Sequence, residues 1–309
     1  MTLGLKKYLN LLNMEQNKKK MNKKYEFTGE TLSHDGVILH RIRRLSDGEV
    51  GGWIESEGNL SHDGGCWVAD EAKVYEKAKA YDDAQILGNA KVFGDAQVFG
   101  DAQVFSYARI LGNAKVFGHA RIFGHARILG NAQVYGGAYV FDDATICEGA
   151  EVYCDADAFS RARVFGFAYV GGLAEVFDSA QVFSDAQVFD NAQIFGDAKI
   201  YGEAKIYGEA KVSGDAQISC YAQVCGESCV SGGEYSGSLV VSVPPIVITG
   251  AHYQITVTDN YIVVGCQRAL RSEAWKIVDE KCKELNVPEN DAALYKFICN
   301  HYRIDKGDE

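Results

Sequence analysis

The chain has 309 residues, a formal net charge of −11 and nine cysteines. That length allows two domains or one long one, with enough core to stand without disulfides. The acidic balance argues against nucleic-acid binding driven by counterion release. No apolar run reaches membrane-spanning length, and the odd, scattered cysteines point to reduced thiols and a cytoplasmic setting.

Residues 1–24 place Leu3, Leu5, Leu9, Leu11 and Leu12 among lysines. They lack a clean apolar segment with a cleavage site, so they read as a basic flexible tail, with Met21 as an alternative start. Residues 25–65 read as short strands with glycine turns, a β cap over the first coil of a repeat array. From Ala72 to Ala222 every sixth residue is alanine. Two residues after each alanine comes Val or Ile, except after Ala78 and Ala156, where Ala80 and Ala158 take the place. Residues two apart share one face of a strand, so Ala and Val/Ile point inward and the residue between them, mostly Lys, Gln or Arg, points out. The Gly-Asp or Gly-Asn pair that ends each hexad is turn chemistry. A short strand of this kind buries its apolar face only by stacking on its neighbours. Three hexads per coil make a triangular prism of about nine coils, expected over residues 66–231. Residues 232–245 break the period and read as a linker. Residues 246–309 read as a small α+β domain. Its strands are expected near Val247–Thr249, Tyr253–Thr258 and Tyr261–Gly265, with Asp259-Asn260 as a hairpin turn. A helix is expected from Glu273 to Leu285 behind Ser272, and another from Pro288 to Tyr302.

The small-x-aliphatic hexad resembles the repeat of left-handed parallel β-helices, and that resemblance implies the left hand. The expected fold class is therefore an all-β solenoid, a triangular left-handed parallel β-helix of hexapeptide repeats with a β-rich N-terminal cap. The opening, Gly51-Gly-Trp-Ile-Glu55, Asn59-Leu-Ser61 and Gly65-Cys-Trp-Val68 leading into Ala72-Lys-Val-Tyr75, resembles the YdcK-like hexapeptide-repeat proteins. Tyr25-Glu-Phe-Thr-Gly-Glu30, Leu39-His-Arg-Ile-Arg43 and the tail around Thr258-Asp-Asn260 and Ile262-Val-Val-Gly-Cys266 are similar to phage and prophage members. The resemblance spans about residues 25–309. It implies a mobile-element setting, and no activity comes with it.

Candidate sites emerge from the columns that an 18-residue coil creates. His119 and His125 occupy turn positions otherwise held by Asp or Asn, with Asp101 and Asp143 one coil away. Acyltransferases built on this repeat use such a His as general base. They also carry loops that leave the prism, and no loop interrupts Ala72–Ala222, so the pair reads as solvated turn residues and no cofactor is expected. Cys147, Cys154, Cys220, Cys225 and Cys229 lack paired metal-ligand spacing, so no metal is expected. Phe105, Phe123, Phe141, Phe159, Phe177 and Phe195 form one outward column, expected to serve as an association surface. Turn acids such as Asp83, Asp95 and Asp101 allow a further reading, an acidic mimic of nucleic acid. A polymer stacked end to end, as in bactofilins, is disfavoured by the extra segments at both ends. The leading expectation is a non-enzymatic scaffold of a phage or prophage that binds itself, a virion component or a host factor. Acyl transfer from acetyl-CoA or another acyl donor is the alternative.

Overall fold

The computed structural model describes residues 23–301 apart from 238, 242–245, 249–254, 259–260, 265–266 and 285. The tail 1–22 with Met21, the Asp259-Asn260 turn and Cys266 lie outside the described residues. The chain divides into two compact units, one ending at Phe167 and the other starting at Ala168.

In the first unit, strands β1 (Tyr25–His34), β2 (Val37–Arg44) and β3 (Val50–Ile54) form an antiparallel cap. β3 then changes partner type. Its other edge pairs in parallel with the rung Lys73–Val74, Trp53 opposite Lys73 and Ile54 opposite Val74. Gly51 and Gly52 make this junction possible by close approach. A Cβ on Gly51 would fall 2.6 Å from the Trp67 ring and the Val68 carbonyl, and one on Gly52 would fall 2.6 Å from the Ala72 carbonyl. Asn59, buried among these residues, takes the place of a rung. Its Nδ2 donates to the carbonyls of Glu76 and Ala78, both at 2.9 Å, and its Oδ1 accepts from the Ser56 N–H. Beside it, Leu60 bridges the small Ala80 in parallel.

From Trp67 the unit is a parallel stacked solenoid of two-residue rungs. Each rung is one outward residue and one buried aliphatic, as in Lys91–Val92, Gln97–Val98 and Gln103–Val104. Lys91 pairs with Arg109 and Arg109 with Arg127, so three parallel ladders share each turn. The repeat alanines and aliphatics are closed to solvent: Ala90, Val92, Ala96, Val98, Ala102 and Val104 are all 0 % exposed. This is the inside–outside assignment that the hexad parity dictates. Full burial of one Val or Ile contributes about 1.5–3 kcal/mol, and the alanine leaves room where the chain turns.

The turns stack as closely as the rungs. Gly94 has φ 74°, and a Cβ there would lie 2.8 Å from the Gly112 nitrogen of the next turn. Several non-glycine residues adopt the same left-handed conformation, and acids among them form staples between turns. Asp70 (φ 54°) accepts a hydrogen bond from the Gly88 N–H at 2.9 Å. Glu76 does the same for Gly94 at 2.7 Å, and Glu148 for Gly166 at 2.9 Å. The left-handed backbone costs a non-glycine residue about 1 kcal/mol, and the charge-assisted bond offsets it.

In the second unit the same rungs stack in parallel, for example Gln181–Val182 on Lys199–Ile200 and Lys199–Ile200 on Gln217–Ile218. Asp178 and Asp190 repeat the turn staple to Gly196 and Gly208, both at 3.1 Å. Ser228 stands in an alanine slot, fully buried, and its hydroxyl donates to the Cys225 carbonyl at 2.8 Å. The stretch expected as a linker carries two further rungs. Glu234–Tyr235 pairs with Gln217–Ile218, and Val240–Val241 pairs with Gln223–Val224. The chain loses one residue of the period at Gly232-Gly233, both at positive φ, and returns to core parity with Tyr235 and Val241 buried. The period is broken there, but the stacking is not.

Beyond these rungs lies a four-stranded antiparallel sheet, Ile246–Ile248, Ile255–Val257, Tyr261–Val264 and Gln267–Leu270. The last of these strands was not expected. Helices α1 (Ala274–Glu284) and α2 (Glu289–His301) complete a core of Ile255, Val257, Ile262, Val278, Tyr295 and Ile298.

Candidate functional site

The outward residue after each buried aliphatic builds the aromatic columns. In the first unit Phe105, Phe123, Phe141 and Phe159 stack nearly parallel, with centroids 5.0, 4.8 and 4.9 Å apart. In the second unit Phe177 and Phe195 stack at 5.0 Å. All six are partly buried rather than exposed. The spacing is the strand spacing of a sheet, so each ring covers the face of the next and leaves its edge to solvent. A second column runs Tyr81, Phe99, Phe117 and Tyr135 at 4.8 Å, with Tyr153 a further 5.5 Å on. The column on the cap side starts with Tyr75 on Phe93 at 5.0 Å. There the rings meet the cap: Leu39 and Trp53 pack on Tyr75, and the Tyr75 hydroxyl bonds Asp35 at 3.1 Å. Burial and that bond push the Tyr75 hydroxyl well above the usual phenol range.

The two histidines lie where the hexad phase puts them, on turns. His119 Nδ1 is 3.5 Å from Asp101, and both side chains are mostly exposed. His125 stacks on Tyr107 at 5.1 Å and makes no ion pair with Asp143 among the described residues. The two histidines thus have different surroundings, an acid for one and an aromatic ring for the other. Cys154, Cys220 and Cys229 are exposed, and Cys147 and Cys225 are partly buried. Burial raises the Cys147 thiol above its ordinary range. Among the described residues no three His, Cys, Asp or Glu side chains converge as a metal ion requires.

The family model described as YdcK Beta solenoid repeat matches residues 120–136. Those residues hold the rungs Arg121–Ile122, Arg127–Ile128 and Gln133–Val134, one on each of the three ladders. The chain is a β-solenoid repeat protein of YdcK type. No curated protein matched it. No helix among the described residues of this YdcK-type chain is long and apolar enough to cross a membrane.

Sequence reasoning passed over one feature of the YdcK-type solenoid. On the ladder that carries Lys73, the outward residues of successive turns are Lys73, Lys91, Arg109 and Arg127. Reading outward residues by hexad hides this, because most hexads offer Lys, Gln or Arg. Reading them eighteen apart reveals it.

Proposed function

We propose that this chain is a non-enzymatic scaffold of a phage or prophage element that acts by binding a protein surface, a second copy of itself first. The observation that carries the reading is the run Phe105, Phe123, Phe141 and Phe159, one residue type in register over consecutive turns. Neighbouring columns mix ring types or lapse into Leu111 and Leu129. Strand preference alone selects aromatics without selecting one. Stacking already covers the ring faces, so the contact uses the ring edges. A second copy has the same rise per turn, so its own ring edges fall between these without adjustment. Aromatic anchors of this size dominate interface energetics.

The test is the triple variant Phe123→Ser, Phe141→Ser and Phe159→Ser, with mass photometry on the purified chain and affinity capture from a bacterial lysate. The expected result is a lower oligomer mass or loss of the captured partner, with a β-type circular dichroism spectrum retained. A variant that keeps both its mass and its partner overturns the assignment and leaves the column as a surface ladder.

A further inference from the structure

Three turns of the first unit carry a cationic groove on an otherwise acidic chain. Lys91, Arg109 and Arg127 project from one ladder in consecutive turns. Each rung is preceded by a turn residue, here Asn89, Tyr107 and His125, which completes the lining of a groove of about 160 Å3. Two independent departures from the repeat meet there. The first is the ladder itself, whose four outward residues from Lys73 to Arg127 are all cationic where the neighbouring rungs mix Lys or Arg with Gln, in a chain with a net charge of −11. The second is the adjoining turn column. Turn positions in this chain are commonly Asp or Glu, yet in these three turns the column holds Asn, Tyr and His. Among the described residues none of Lys91, Arg109 and Arg127 makes an ion pair. One turn earlier the pattern is different. Lys73 has Glu71 in its turn column, and the Glu71 carboxylate is held by Arg41 at 2.7 Å. Burial, together with Lys91 and Arg41, holds the Lys73 ammonium below its usual range.

Stacked cations about 4.8 Å apart repel one another unless something neutralises them. In these three turns the adjoining turn column holds no acid to do so. We infer that the groove lined by Lys91, Arg109 and Arg127 binds an oligophosphate, two or three linked phosphates, free or as part of a nucleotide. The outer two cations are two turns apart, about 10 Å. A single phosphate reaches two of them, whereas a chain of linked phosphates comes within reach of all three, because the long Lys and Arg side chains converge on it. The arginine forks match phosphate oxygens in pairs. On the turn side, the Asn89 amide and the Tyr107 hydroxyl add neutral donors. Tyr107 is 55 % exposed, so its ring is accessible to a ligand.

The experiment is isothermal titration of the full chain at low ionic strength with inorganic tripolyphosphate, ATP and citrate as separate probes. Tripolyphosphate is expected to bind, and the double variant Arg109→Gln, Arg127→Gln to bind it at least about tenfold more weakly, as expected when two charge-assisted contacts go. Arg121→Gln, a cation on the neighbouring ladder, is the control and should leave binding unchanged. All three substitutions are at outward positions, and circular dichroism verifies the fold. The single variant Lys91→Gln, expected to weaken binding in the same direction, stands in if the double variant does not fold. Tighter binding of ATP than of tripolyphosphate assigns the nucleotide as the source, and equal binding assigns the free chain. The proposal is overturned if tripolyphosphate does not bind, if citrate binds as tightly, or if the double variant binds like the parent.

Discussion

Asp70 shows what a single residue contributes to the stacking. It holds a left-handed backbone conformation, φ 54°, and its carboxylate takes the N–H of Gly88 one turn on. Removing the carboxylate while keeping a Cβ leaves the strain without its compensation. Asp70→Ala is therefore expected to lose about 1 kcal/mol, read as a lower denaturant midpoint. Asp70→Gly loses the same bond but relieves the backbone, and is expected to stay within about 0.5 kcal/mol of the parent. No loss in Asp70→Ala would show that the staple contributes nothing, and equal losses in the two variants would show that the left-handed backbone costs nothing here. The sequence displays Asp and Glu at these turns but not this role, because the partner N–H lies eighteen residues away and only stacking brings it near.

At the scale of the rung, the sequence was legible. Parity alone assigns Lys115 outward and Ala150 inward, and the chain has Lys115 exposed and Ala150 at 0 %. Ala150→Leu should cost about 1–3 kcal/mol or more, because the turn interior has no space for three added carbons. Lys115→Ala should stay within about 0.5 kcal/mol. Paired denaturant melts check this, and equal midpoint shifts would contradict the packing. The cap was legible as strands but not in its connection. Nothing in Gly51-Gly52-Trp53-Ile54 says that one strand pairs antiparallel on one edge and parallel on the other. The last rungs were missed because Gly232-Gly233 drops one residue from the period, and a fixed-period reading stops there. The aromatic columns were found by reading eighteen apart, whereas the cationic groove was missed by reading its residues one hexad at a time.

For the molecule as a whole, the repeat makes its turns equivalent, and length becomes separable from surface pattern. Deleting residues 133–150 removes one full turn and brings Glu151–Val152 under Lys115–Val116, with the later columns of the first unit in place. Deleting residues 133–138 keeps the core parity but moves every later rung of the first unit one side round. Both deletions are expected to melt cooperatively with β-type spectra. The longer one removes Phe141 but sets Phe159 directly on Phe123, whereas the shorter one turns Phe141 and Phe159 away from Phe105 and Phe123, so the shorter one should lower the oligomer mass more. If both deletions preserve the mass, the Phe column is not the association surface.

The alanine slots carry an evolutionary consequence. Because Ala, Val and Ile recur in the same slots of every turn, a gene segment encoding one whole turn can be gained or lost by unequal recombination without redesigning a single contact. Single-residue slips are penalised instead, since one step exchanges the inward and outward faces. At the Gly232-Gly233 step the period is one residue short, near the end of the array, and two glycines at positive φ absorb it. Selection on an array of this kind acts first on the number of turns and then on the outward residues, which vary at almost no cost to the core.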